Sequence, residues 1–236
     1  LTKPTLVIAG LLALAAAGCA ARMKLDPALA EATEGYPVTG ANPRVWGTPV
    51  AFGPWRASAV KEGAGVGWSF EVLGLGRAVG SRRPWALRLE GAAGALELEC
   101  LQQQLVAVAP FGVTLVPIDD PNRPVLACGL RPLGAADGGA AWTLALRTTG
   151  RPAPAFEGEL RNERGVLFTV RSVHALRGGG GLPLGRPAGY TFERNGAQAA
   201  AVEIIDAGRV LIPLRETDAM VLAAASAALL LFQPPD

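Results

Sequence analysis

The chain is poor in the residues that usually carry chemistry: across 236 residues it has one histidine, three lysines, three cysteines and five serines, and 6% of its residues are aromatic. A single histidine removes any His-based metal cluster. His174 lies in the strand-like run Thr169 to His174 with no nucleophile or orienting acid beside it in sequence, and reads as a surface or edge-strand residue. None of the serines sits in a Gly-x-Ser-x-Gly elbow; Ser69, in Gly67-Trp68-Ser69-Phe70-Glu71, lacks the second glycine. The glycine runs from Gly63 to Gly67 and from Gly74 to Gly80 have neither the spacing nor the following helix of a phosphate-binding loop, so they read as turns, as does Gly178 to Gly181. Asp119-Asp120-Pro121-Asn122 lacks the glycine and distal glutamate of a calcium loop. Glu97 and Glu99 share one face of a strand, a spacing that glycosidases use, but ordinary exposed alternation accounts for them. With a formal charge of +2 and no basic stripe, nucleic acid is excluded as a partner. No cofactor and no catalytic residue is implied, and the chain reads as non-enzymatic.

What is present begins at the amino end. Lys3 is followed by an apolar run from Leu6 to Ala17, about a dozen residues, and then by Gly18 and Cys19. This is the build of an export signal. It is shorter than the roughly 20 residues a membrane-crossing helix needs, and Arg22 and Lys24 stop its extension. The run Leu14-Ala15-Ala16-Ala17-Gly18-Cys19 resembles the lipobox of bacterial lipoproteins, although Ala16 stands where leucine is usual. The resemblance implies that Cys19 becomes the mature first residue and carries lipid; an ordinary cleaved signal and a structural cysteine are the other readings. Several acyl chains, at about 0.8 kcal/mol per buried CH₂, would hold the protein on a membrane. Residue 20 is alanine and not the aspartate that marks inner-membrane retention, so the expected location is the outer membrane, facing the periplasm. The organisation predicted is a signal peptide over 1–18, a lipid-anchored tether over 19–43 without chemistry of its own, and one domain over 44–236.

Half of the residues are apolar and 18% are charged, the composition of a globular chain. Cys100 and Cys128 form an even pair in an oxidising compartment, which predicts a disulfide; two buried thiols are the alternative. Closing such a loop of about 28 residues contributes on the order of 3.5 kcal/mol by chain entropy.

From Val45 to Leu214 the dominant pattern is period-two alternation broken by Gly, Pro and Asp. In Trp85 to Glu90, Leu96 to Cys100, Trp142 to Arg147 and Val166 to Arg171, large apolar residues take one face and charged or polar ones the other. Antiparallel sheets with one core face follow from this. Trp68 to Leu73 and Phe111 to Ile118 read as further strands, Asn195-Gly196 as a two-residue hairpin turn, and Asp206-Ala207-Gly208 as the next turn. The period then changes. Thr217 or Asp218 can cap a helix, Ala219 to Phe232 contains only Ser226 as a polar residue, and Pro234 ends it, giving a helix within 217–233. At 1.5 Å per residue it spans about 21 Å, short of a bilayer. A helix apolar all round must be enclosed all round. The inside of a β-barrel provides that; the alternative is a β-sandwich or lipocalin-like barrel with the helix packed outside.

The succession of a late hairpin, the strand Val210 to Leu214, an acidic cap and the hydrophobic helix Ala219 to Phe232 resembles the end of the tubby C-terminal-like superfamily, which includes tubby, the LURP-one-related proteins and the phospholipid scramblases. The resemblance implies a closed barrel of about twelve strands around a C-terminal helix, and association with membranes. The basic residues that hold phosphoinositides in some members have no counterpart here. Function is then expected to be that of a lipid-anchored envelope lipoprotein, a binding or structural module for a protein or lipid partner. A carrier of a small hydrophobic ligand is the alternative, and an envelope hydrolase the third reading.

Overall fold

The computed structural model describes residues 21–40, 49–72, 76–108, 115–117, 124–134, 141–149, 155–178 and 184–232. Among the described residues, fourteen strands and two helices follow one another: α1 (Pro27–Ala32), β1 (Tyr36–Pro37), β2 (Val50–Phe52), β3 (Trp55–Glu62), β4 (Val66–Val72), β5 (Gly76–Gly91), β6 (Gly94–Val108), β7 (Leu115–Pro117), β8 (Leu126–Pro132), β9 (Trp142–Thr149), β10 (Ala155–Asn162), β11 (Gly165–Val173), β12 (Gly189–Arg194), β13 (Ala197–Glu203), β14 (Arg209–Leu211) and α2 (Ala219–Leu231). All pairings are antiparallel, in the order β1-β14-β13-β12-β11-β10-β9-β8-β6-β5-β3-β2, and this path of twelve strands curls until its ends nearly meet. Thr39, just past β1, makes the last link: its N–H donates to the Ala51 carbonyl of β2 at 2.8 Å, and the Ala51 N–H donates back at 2.9 Å.

Alternation decides which side of the wall each residue takes. Leu87, Leu89, Leu96, Leu98, Leu144 and Leu146 are buried toward the axis, whereas Arg88, Glu90, Glu97, Glu99 and Arg131 lie on the outer wall in exposed ion pairs. A wall charged outside faces water along this stretch. Asn195 (φ 53°) and Gly196 (φ 79°) both take the left-handed conformation, the backbone that the Asn-Gly pair predicts for a two-residue hairpin.

Twelve strands enclose more space than their own side chains fill. Helix α2 occupies that space. Eleven of its thirteen residues, Val221 to Leu231, are buried, and the helix contacts β13 on one side and β5, β6 and β8 on the other. Its alanines at 223, 224, 225, 227 and 228 keep it slender, and Leu222 and Leu229 fill the remaining width. Each fully buried leucine contributes on the order of 2 kcal/mol. Asp218 stands at the N-cap position, but its side chain does not cap the helix. Its carboxylate pairs with Arg194 of β12, which also holds Glu216 at 3.2 Å and stacks on the Phe168 ring at 4.2 Å. The helix is thus latched at its entry by a wall residue. At the far end, Phe232 packs edge-on to Phe156 at 5.5 Å.

Three local expectations change. Gly76 to Gly80, read as a turn, is strand, paired on one side with β4 and from residue 77 on the other with β6; ladder bonds on both sides override the low strand preference of glycine. Of the strand expected over Phe111 to Ile118, Leu115–Pro117 is a strand, and the remainder lies outside the described residues, as do Asp119 to Asn122. The lead read as a tether is packed on the barrel over residues 21–40. Met23 and Leu29 are buried in a second apolar cluster with Ala188, Ala201 and Leu211 on the outer side of the wall. The physical reason is in β13 and β14, whose outward positions are apolar and need a cover.

Candidate functional site

Cys19 lies outside the described residues, and the chain enters the described structure just after it. Arg22, Met23 and Lys24 lie along residues 175–177, with the Lys24 N–H donating to the Ala175 carbonyl at 2.9 Å and the Arg177 N–H to the Arg22 carbonyl at 2.8 Å. Met23 forms a bridge with Leu176, which lies beyond the end of β11. A buried carboxylate fixes this entry. Glu203, at the end of β13, is 1% exposed. It accepts two hydrogen bonds from Arg209, at 3.0 and 3.2 Å, one from Arg22 at 3.4 Å and one from the Met23 N–H at 3.0 Å. The remaining terminal nitrogen of Arg209 donates to the Glu34 carbonyl at 3.0 Å, so one ion pair holds both ends of the lead. Gly189 makes the close approach possible. A Cβ there would stand 2.1 Å from the Val202 carbonyl oxygen and 2.6 Å from the Met23 sulfur.

Between the lead and the Ala175 to Gly178 turn lies a groove of about 650 Å³, within the range of small-ligand sites. Leu25, Leu176 and Leu211 contribute apolar surface to it, and Arg22, Lys24, Arg177, Glu31 and Glu34 belong to its charged lining.

His174 and Ser172 sit at the same end. Their side chains fall on one face of the chain because they are two residues apart in extended backbone. The His174 Nε2 is 3.2 Å from the Ser172 Oγ, and Nδ1 is 3.0 Å from the Leu184 carbonyl. A carbonyl only accepts, so Nδ1 donates to Leu184, and in the neutral ring Nε2 is then the acceptor of the serine hydroxyl. Ser172 Oγ in turn accepts the Phe156 N–H at 2.8 Å. This brings a hydroxyl and an imidazole together, which the sequence analysis missed; the i, i+2 spacing was the available signal. The orienting group is a neutral carbonyl, which lacks the carboxylate charge that stabilises an imidazolium in a triad. Its evident effect is to tie β10, β11 and the connection to β12 together.

Cys100 and Cys128 are joined in a disulfide, directly opposite each other in the β6–β8 register and buried inside the wall. Glu97 and Glu99 lie outside, both bound by Arg131, at 3.2 and 2.7 Å. That shared arginine accounts for their side-by-side placement. Within the barrel, the Tyr190 hydroxyl and the Ser226 hydroxyl are buried without a hydrogen-bond partner among the described residues. Burial drives the Tyr190 ionisation far upward, so this phenol stays neutral while the fold persists. In comparisons with family models, with curated proteins and with solved structures, nothing matches this chain.

Proposed function

We propose that this chain is a lipid-anchored protein of the bacterial cell envelope, held to the outer membrane through Cys19, and that its barrel serves without turnover as a binding or structural module for protein or lipid. The observation that carries the reading is the plug. With Val221 to Leu231 of α2 buried along the axis, the chain's own helix occupies the position a ligand would take, which supports recognition at the outer surfaces and rims. The short distance in sequence from Cys19 to the docked residues Arg22 and Met23 supports a second element: lipid on Cys19 would hold this rim against the bilayer. The proposed kinship with the tubby-like superfamily is supported by a twelve-strand path around a C-terminal helix.

Intact mass of the protein extracted from membranes tests the anchor. A diacylglyceryl and acyl increment on Cys19, and release of Cys19→Ala into the soluble fraction, are the expected results; an unmodified Cys19 on a soluble protein rejects it. The carrier reading is favoured by one observation, the groove beside the lead, with its apolar surface and charged lining. It predicts a lipophile in organic extracts of the purified protein that Leu176→Arg removes.

A further inference from the structure

Register puts three cations on one side of the lead where it joins the barrel. Met23 pairs with Leu176 in an antiparallel bridge, flanked by the Lys24 N–H on the Ala175 carbonyl and the Arg177 N–H on the Arg22 carbonyl. Arg22 therefore stands opposite Arg177, and Lys24 opposite Ala175. Side chains alternate along such a ribbon, and directly opposed residues share a side. Met23 is buried in the outer apolar cluster, and Leu25 and Leu176 pack against that cluster, so their side is the one turned to the wall. Arg22, Lys24 and Arg177 take the other side, and all three are exposed.

Like charges directly opposite each other destabilise a pairing, and only one of these three is compensated. Arg22 reaches the buried Glu203 carboxylate at 3.4 Å. Lys24 and Arg177 take part in no ion pair among the described residues. Glu31 and Glu34 line the same groove, yet their carboxylates pair with neither cation. Two cations are thus kept beside an open groove with their repulsion unrelieved, and an oxyanion bound to both would relieve it.

The rest of the lining narrows the class of anion. Leu25, Leu176 and Leu211 belong to it, and at about 650 Å³ the groove is far larger than a bare inorganic ion needs. An apolar chain attached to the anion accounts for both. The unpaired Glu31 and Glu34 act on the head: they repel a doubly charged phosphate monoester more than a carboxylate, which carries a single charge. The Arg177 guanidinium also matches a carboxylate through two parallel hydrogen bonds.

We propose that this groove binds a monocarboxylate with a long apolar chain, of fatty-acid type, its head on Lys24 and Arg177 and its chain along Leu25, Leu176 and Leu211. The inference names the ligand class for the carrier reading above and rests on that reading. A long-chain carboxylate bearing a diazirine in its chain is added to the full-length protein in mild detergent and irradiated, and labelled peptides are located by mass spectrometry. The alcohol and the phosphate monoester of the same chain are run beside it. The unaltered protein is compared with Lys24→Gln/Arg177→Gln, which keeps the backbone bonds of the ribbon, and matching circular dichroism verifies the fold. Labelling by the carboxylate within 22–34 and 175–178, displaced by dodecanoate and not by acetate, is the expected result. Half-saturation in the double variant should need about tenfold more probe. Equal labelling of these residues by the alcohol, or equal affinity in the double variant, overturns the carboxylate head and leaves the carrier reading. A phosphate monoester that binds more tightly than the carboxylate overturns the singly charged head. Displacement by acetate as effective as by dodecanoate overturns the chain, and with it the carrier reading. Absence of labelling at these residues by all three chains removes both.

Discussion

The β5–β6 hairpin and the β1 seam are both parts of one wall, but they are held in different ways. Along the hairpin, fifteen residue pairs run in unbroken register from Arg77↔Val108 to Gly91↔Gly94, and its strands are consecutive in sequence. At the seam, β1 pairs with β14 through Tyr36↔Val210 and Pro37↔Arg209, and reaches β2 through the single Thr39–Ala51 bridge. Local pairing is cheap in chain entropy, whereas the seam joins residues far apart in sequence. The seam is secured by side chains instead: the Glu203–Arg209–Arg22 cluster, with Met23 and Leu29 of the lead packed on the outer wall.

Breaking what both regions share should have the largest effect. Ala224→Asp places a carboxylate on a helix position with no exposure, at a cost of several kcal/mol, and loss of the cooperative thermal transition in circular dichroism is expected. Next is Glu203→Gln, which leaves the Arg209 charge partly buried with a weaker partner, at a cost of about 3 kcal/mol. Its signature should be local, with limited proteolysis cutting within 22–40 while the β5–β6 peptides stay intact. If cleavage spreads evenly over the chain, seam and hairpin are one cooperative unit. Replacing Cys100 and Cys128 together by alanine acts on the hairpin side, lowering global stability in urea by about 3 kcal/mol without new cleavage in the lead. The smallest change is expected of Arg131→Ala. Its two ion pairs with Glu97 and Glu99 are in water, so its urea midpoint should move by less than about 1 kcal/mol equivalent.

The same contrast explains what could be read before folding was known. The wall was legible because several strands repeat a two-residue rule, as in Leu96-Glu97-Leu98-Glu99-Cys100, and the plug because Ala219 to Phe232 has no polar face. The docked lead was not, because its partner is a surface formed only by pairing distant strands. The sign it left, Ala199-Ala200-Ala201-Val202 apolar on both faces, says that both sides of β13 are covered without saying by what. Ser172 and His174 carried a readable spacing, but Leu184 and Phe156, which define the state of the pair, come from other segments. The start of β5 was obscured by Gly76 to Gly80, where turn composition and strand pairing conflict.

The plug follows all fourteen described strands in the chain, which has a consequence for the order of assembly. Strands synthesised early can form hairpins as they emerge, but the axis they must enclose is supplied by residues 219–232, and β1 finds its place only when β14 exists. No intermediate length of chain has a complete core. A chain of this design stays uncommitted until α2 is available, and its wall closes only then, so the time it spends unfolded is set by when that helix is delivered as much as by its own folding rate.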